Sequence, residues 1–268
     1  MRDAVPQRSG TGDTGAGRAA PDPGPDTVPS PRSSAMWPLA ALGIWLAAQV
    51  VPILLVSPFL GDAGDAGAGG STAVVSPAVI WIRQLTSWTL IVVLVWWVNR
   101  LLGGTARDLG LARVPGHRVT GDFAVGVGFG LLAVPGTILV TQLLNLVGLG
   151  GDTLAPYRTI LSEPWGAVFL TVGAVLFAPV AEELFYRGFI QGRAVGARTG
   201  RATVVPIVLV AVVFSVVHLN PAAALQLFLF GCLLGWLRQW RGTLAAPVGA
   251  HMALNATTMT VILTGLAD

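Results

Sequence analysis

From residue 37 to residue 266 the chain is a succession of long apolar runs parted by short loops, and that pattern decides the solvent it folds in. About 20 apolar residues in an α-helix cross the hydrocarbon core of a bilayer, where only helices and closed barrels satisfy their own backbone. The runs fall at 37–60, 78–98, 121–149, 165–190, 203–219, 222–237 and 244–266. Charged residues make up 11% of the chain, against about a quarter in a soluble domain. The expected fold is therefore all-α: a polytopic membrane helix bundle of about seven to eight transmembrane helices. The third run, interrupted by Pro135, is long enough to supply the eighth.

The charges give an orientation. All sixteen basic residues are arginines, and most of them gather between the runs or at their ends: Arg100, Arg107, Arg113 and Arg118, then Arg187, Arg193, Arg198 and Arg201, then Arg238 and Arg241. With these loops in the cytoplasm the N-terminus lies inside and the C-terminus outside, as expected for a multi-pass protein of the cell membrane. Residues 1–36 hold four Arg, four Asp and many Pro, Gly and Ser, and read as a disordered polar tail. Run 37–60 is too long for a signal-peptide core and reads as a retained helix with Pro52 and Pro58 as kink sites. Residues 37–160 then form the N-terminal membrane helices with their Arg-rich loop. Arg83 reads as a snorkelling side chain and His117 as a solvated loop residue. The net charge of +3 forms no continuous basic stripe, so nucleic acid is not an expected partner. The single Cys232 reads as a small buried hydrophobe, with no disulfide and no C-x-x-C motif. No internal repeat supports an inverted-repeat transporter.

Against this background a few polar groups stand out. Two of the three glutamates, Glu182 and Glu183, are adjacent inside the fourth run. Ionisable groups at membrane depth are expensive and are generally retained for function. Glu183 and Arg187 are four residues apart and face each other as an ion pair, which a purely structural role explains. Glu182 points about 100° away and is free of that pair, so structure alone does not account for it. A carboxylate poised between burial and a nearby cation suits a general base. His218 closes the fifth run with Phe214 one turn before it, and His251 shares a helix face with Asn255 in the seventh. Lipid penalises all of these, so they must face protein or a water-filled cavity. A straight fifth span would place His218 near the outer face and Glu182 toward the cytoplasmic side.

The E-E-x-x-x-R of Glu182–Arg187, the F-x-x-x-H of Phe214–His218 and the H-x-x-x-N of His251–Asn255 occur in that order on three membrane segments. Together they resemble the signature motifs of the CAAX prenyl endopeptidase and bacteriocin-processing membrane protease family, also called the ABI family. The resemblance covers about residues 165–260 and makes 161–268 the expected catalytic core. It implies an intramembrane endopeptidase without a cofactor, in which Glu182 and His218 prepare a water nucleophile. His251 and Asn255 would form the oxyanion hole, with Glu183, Arg187 and Phe214 in support. The implied partners are membrane lipid and a peptide or protein substrate near the membrane.

Three other readings compete. Two histidines and a glutamate also suit a zinc-dependent membrane metalloprotease, although no H-E-x-x-H is present. A non-catalytic immunity factor or scaffold of the same fold would keep its phenotype in a Glu182→Gln variant. A proton-coupled transporter would show flux dependent on a pH gradient.

Overall fold

The computed structural model describes residues 31–59, 76–112, 114–151 and 158–264. Among the described residues seven long helices make up the bundle: α1 (Pro31–Val56), α2 (Pro77–Leu101), α3 (Val119–Leu146), α4 (Pro164–Val195), α5 (Val204–Val217), α6 (Ala224–Arg241) and α7 (Ala245–Leu263). Among the described residues there is no strand. The third run is one helix, with Pro135 inside it, and does not split into two spans. Helix α1 starts at Pro31, six residues inside the stretch expected to be a disordered tail; the rest of that tail lies outside the described residues. Proline suits the first turn of a helix, where its missing N–H costs nothing.

Among the described residues six helices, α1 to α6 with the short turns leading into α5 and α6, are long and apolar enough to cross a membrane. Helix α7, the expected seventh span, is not among them. It carries His251, Asn255, Thr257, Thr258 and Thr260 within nineteen residues. Such a helix persists in an apolar bundle because α3, α4 and α6 pack around it. The chain is thus a polytopic helical membrane protein in which the helix bearing His251 and Asn255 packs among three neighbours.

Small residues make that sheath tight. Gly126 and Gly130, one turn apart on α3, lie directly against the carbonyls of Ala246 and Ala250 on α7, and Gly249 of α7 lies against the carbonyl of Phe123. Lipid-embedded helices gain little from the hydrophobic effect and associate through such close backbone approach. A Gly130→Ala variant should lose about 1–3 kcal/mol, the usual cost of overpacking, because its Cβ meets backbone and not a movable side chain. Gly128→Ala, with nothing within 4 Å, is the control and should be neutral or slightly stabilising in the same denaturation assay.

At the end of the bundle where α2 gives way to α3, the expected free charges are engaged. Asp122, fully buried in the first turn of α3, accepts from Nε of Arg241 at 2.8 Å, from the Arg241 Nη2 and from Thr243 Oγ1 at 2.9 Å. His117, expected as a solvated loop residue, is half-buried with Nδ1 3.1 Å from the same carboxylate. A buried carboxylate needs several donors, and the loop histidine supplies one of them. Arg193 donates to Asn99 Oδ1 at 2.9 Å and ties α4 to the end of α2, while the loop before α3 accepts from Leu244 N–H at the Gly110 carbonyl (3.0 Å) and from Arg238 of α6 at the Asp108 carbonyl (3.4 Å). Arg83 is exposed, in line with its snorkelling reading, and Cys232 is half-buried.

Candidate active site

The site is built on α4, a helix with two wide turns of π geometry, Gly173–Phe177 and Leu184–Gln191. Such bulges recur at functional sites because they re-aim side chains without ending the helix. Glu182 and Glu183 sit between the two.

The paired glutamates divide as the helical geometry predicts. Glu183 is completely buried, and its Oε1 accepts from Arg187 Nη1 at 2.9 Å. The same oxygen lies 2.9 Å from Nδ1 of His251 on α7. Arg187, also completely buried, donates through Nη2 to the Gly231 carbonyl of α6 at 3.2 Å, with its guanidinium carbon 4.4 Å from the centre of the Phe214 ring. One turn further on, Gln191 donates to the Gly235 carbonyl at 2.9 Å. Glu183, Arg187 and Gln191 therefore form a polar ladder along α4, met by two glycine carbonyls at the same spacing on α6. These glycines also admit α5: a Cβ at Gly231 would meet Ala211 at 3.0 Å, and one at Gly235 would meet Ile207 at 2.7 Å.

Glu182 faces elsewhere. Its side chain keeps 21% exposure, while that of Glu183 keeps none. Its Oε2 lies 4.0 Å from Nε2 of His218 and 4.0 Å from Nε2 of His251, and accepts no hydrogen bond. His218 Nδ1 lies 2.6 Å from the Phe214 carbonyl. A carbonyl can only accept, so Nδ1 carries a proton and Nε2 is the ring nitrogen that faces Glu182. Phe214, fully buried, packs edge-on against both imidazoles, and Phe230 closes the other side of His251.

The depth expected of His218 is corrected by helix length. Helix α5 ends at His218, and Leu219 takes a left-handed conformation (φ 49°) that stops it there. From the turn that joins α4 to α5, both Glu182 and His218 lie about 20 Å along their helices at ~1.5 Å per residue. The fifth helix meets the glutamate by stopping at its level. Ser215 Oγ donates to the Ala224 carbonyl at 2.6 Å and ties this end to the start of α6.

Asn255 lies one turn beyond His251 on α7, and its amide donates to the Ala174 carbonyl of α4 at 2.7 Å. Six of the seven residues singled out from the sequence thus belong to one contact network, and Asn255 stands one turn from His251 with its amide turned to Ala174. Gln191, Phe230, Gly231, Gly235 and Ala174 were not singled out. The i,i+4 continuation from Glu183 through Arg187 to Gln191 and the G-x-x-x-G of Gly231–Gly235 were the signals present for three of them. Among the described residues no group of three or more His, Cys, Asp or Glu is placed to hold a metal ion. The 4.0 Å from Glu182 Oε2 to each Nε2 exceeds the roughly 3.4 Å between neighbouring ligand atoms on a tetrahedral zinc with bonds of about 2.1 Å.

No curated protein and no solved structure matches the chain. A family match covers residues 164–257, from the first residue of α4 to the fourth turn of α7, and includes every residue of the network on α4 to α7. That family is described as Type II CAAX prenyl endopeptidase Rce1-like, so the stretch bearing the paired glutamates, the two histidines and Asn255 is similar to an Rce1-like domain, a likeness that points to a peptidase in the membrane.

Proposed function

We propose that this protein is an intramembrane glutamic endopeptidase that hydrolyses a peptide bond near the membrane by water activated between Glu182 and His218. The observation that carries this reading is the convergence on Glu182 Oε2, which is without a hydrogen-bond partner and has an imidazole Nε2 on either side at 4.0 Å. Groups at that separation do not bond directly, but a water bridges them with ordinary bonds of about 2.8 Å. Its proton passes to the carboxylate or imidazole as its oxygen attacks the carbonyl carbon. His251 and Asn255 stabilise the oxyanion that forms. With His251 Nδ1 directed at Glu183, a donor at Nε2 requires the doubly protonated ring, and Glu183 is then its counter-ion. Arg187 holds Glu183 in place for that task.

The working topology has the N-terminus and the arginine-rich loops in the cytoplasm of the cell membrane. The chemistry uses no metal, which the ligand spacing around Glu182 supports. Exhaustive chelation should therefore leave cleavage unchanged, and loss of activity restored by zinc would establish the metalloprotease reading instead. The defining experiment compares membrane proteomes of cells carrying the native protein and a His218→Ala variant. Substrates appear as polypeptides that stay uncut with the variant; identical proteomes would remove the peptidase assignment.

A further inference from the structure

The wide turn at Gly173–Phe177 leaves one carbonyl without a backbone donor. In a regular α-helix the Ala174 carbonyl would accept from the N–H of Ala178. That N–H bonds instead to Gly173, one residue further back. The next candidate is residue 179, a buried proline with no N–H. Its ring also crowds the carbonyl four residues earlier, which favours the wide turn just before it. A carbonyl stranded inside an apolar bundle costs about 1–3 kcal/mol unless a side chain answers it. The Asn255 amide of α7 does so at 2.7 Å.

We infer that Pro179 is a positioning residue for Asn255: by withholding a backbone donor from Ala174, it makes that carbonyl the latch that fixes the Asn255 amide beside the site. The amide has two N–H groups; the latch takes one, and the other serves the developing oxyanion. The inference rests on the oxyanion-donor reading of Asn255 for its catalytic consequence, while the latch itself stands on the helix geometry. With alanine in place of the proline, the backbone can serve Ala174 alone, either through the new N–H or by closing to a regular turn. Asn255 is then released. Pro179 touches no reacting atom in this scheme and acts only through the asparagine.

A two-by-two comparison of the full chain in detergent tests this, using the native protein, Pro179→Ala, Asn255→Ala and the double variant. The latch predicts that Asn255→Ala lowers the thermal midpoint by about 2–5 °C in the native background, and by less than about 1 °C in the Pro179→Ala background. Cleavage is read with a quenched fluorescent peptide ending in a farnesylated CAAX motif. Pro179→Ala should lower kcat about tenfold with KM unchanged. Asn255→Ala should lower it about a hundredfold, and the double variant also about a hundredfold, not a thousandfold. Equal midpoint losses in both backgrounds, or multiplying kcat losses, would overturn the proposal. Pro179→Ser restores the same N–H and must give the same coupling. If the native protein leaves the peptide uncut, the functional reading fails for that substrate class, and the midpoint comparison alone decides the latch.

Discussion

A Glu182→Gln variant is expected to lose cleavage by about 10²–10⁴-fold in kcat, the range removed with a general base, while its folding stability stays at or above that of the native protein. The stability half of this expectation follows from the Oε2 atom, which makes no hydrogen bond, so the amide breaks no existing contact. Replacing a partly buried charge by a neutral isostere also lowers a desolvation cost. Kinetics on detergent-solubilised protein, paired with a denaturation curve, separates the two effects. A stable variant that cleaves at the native rate would end the assignment of Glu182 as the base. A variant that unfolds would show instead that the first glutamate, like the second, is part of the scaffold.

The largest stability effect should come from Arg187→Ala, at about 3–5 kcal/mol. Its guanidinium is completely buried and joins three elements: Glu183 on its own helix, the Gly231 carbonyl on α6 and the face of Phe214 on α5. Removing it leaves the Glu183 carboxylate in an apolar interior with only the His251 contact, and leaves the Gly231 carbonyl open. Breaking one half of a buried pair is costly because the remaining charge stays desolvated, whereas removing both halves together is much milder. The double variant Glu183→Gln with Arg187→Met should accordingly recover part of the loss. The check is an unfolding titration in mild detergent. A penalty below about 1 kcal/mol, typical of an exposed ion pair, would show that this pair is not sealed from water.

The helices themselves were legible because the bilayer imposes one rule on every residue: apolar runs of sufficient length must satisfy their backbone internally. Their ends were less so. Hydropathy puts the end of the fourth run near 190, yet α4 continues to Val195, because Gln191 and Arg193 find partners on α6 and at the end of α2. Hydropathy likewise misses the polar first turn of α1.

The site divides in the same way. The Glu183–Arg187 pair was readable because four residues on one helix determine their own proximity. The contact of His251 with Glu183 bridges 68 positions, and no local rule supplies it. It needs α7 to lie close to its neighbours, as the α3 glycines allow, and Asn255 meets the Ala174 carbonyl at the wide turn of α4. His218 reaches the level of Glu182 because α5 stops short at Leu219.

By itself the sequence determined that the chain is a membrane helix bundle and named the side chains that do not belong in lipid, since both follow from the solvent and from the pitch of a single helix. Only the tertiary structure decided which of those side chains meet, because that depends on where helices end, where they widen and how closely their backbones approach.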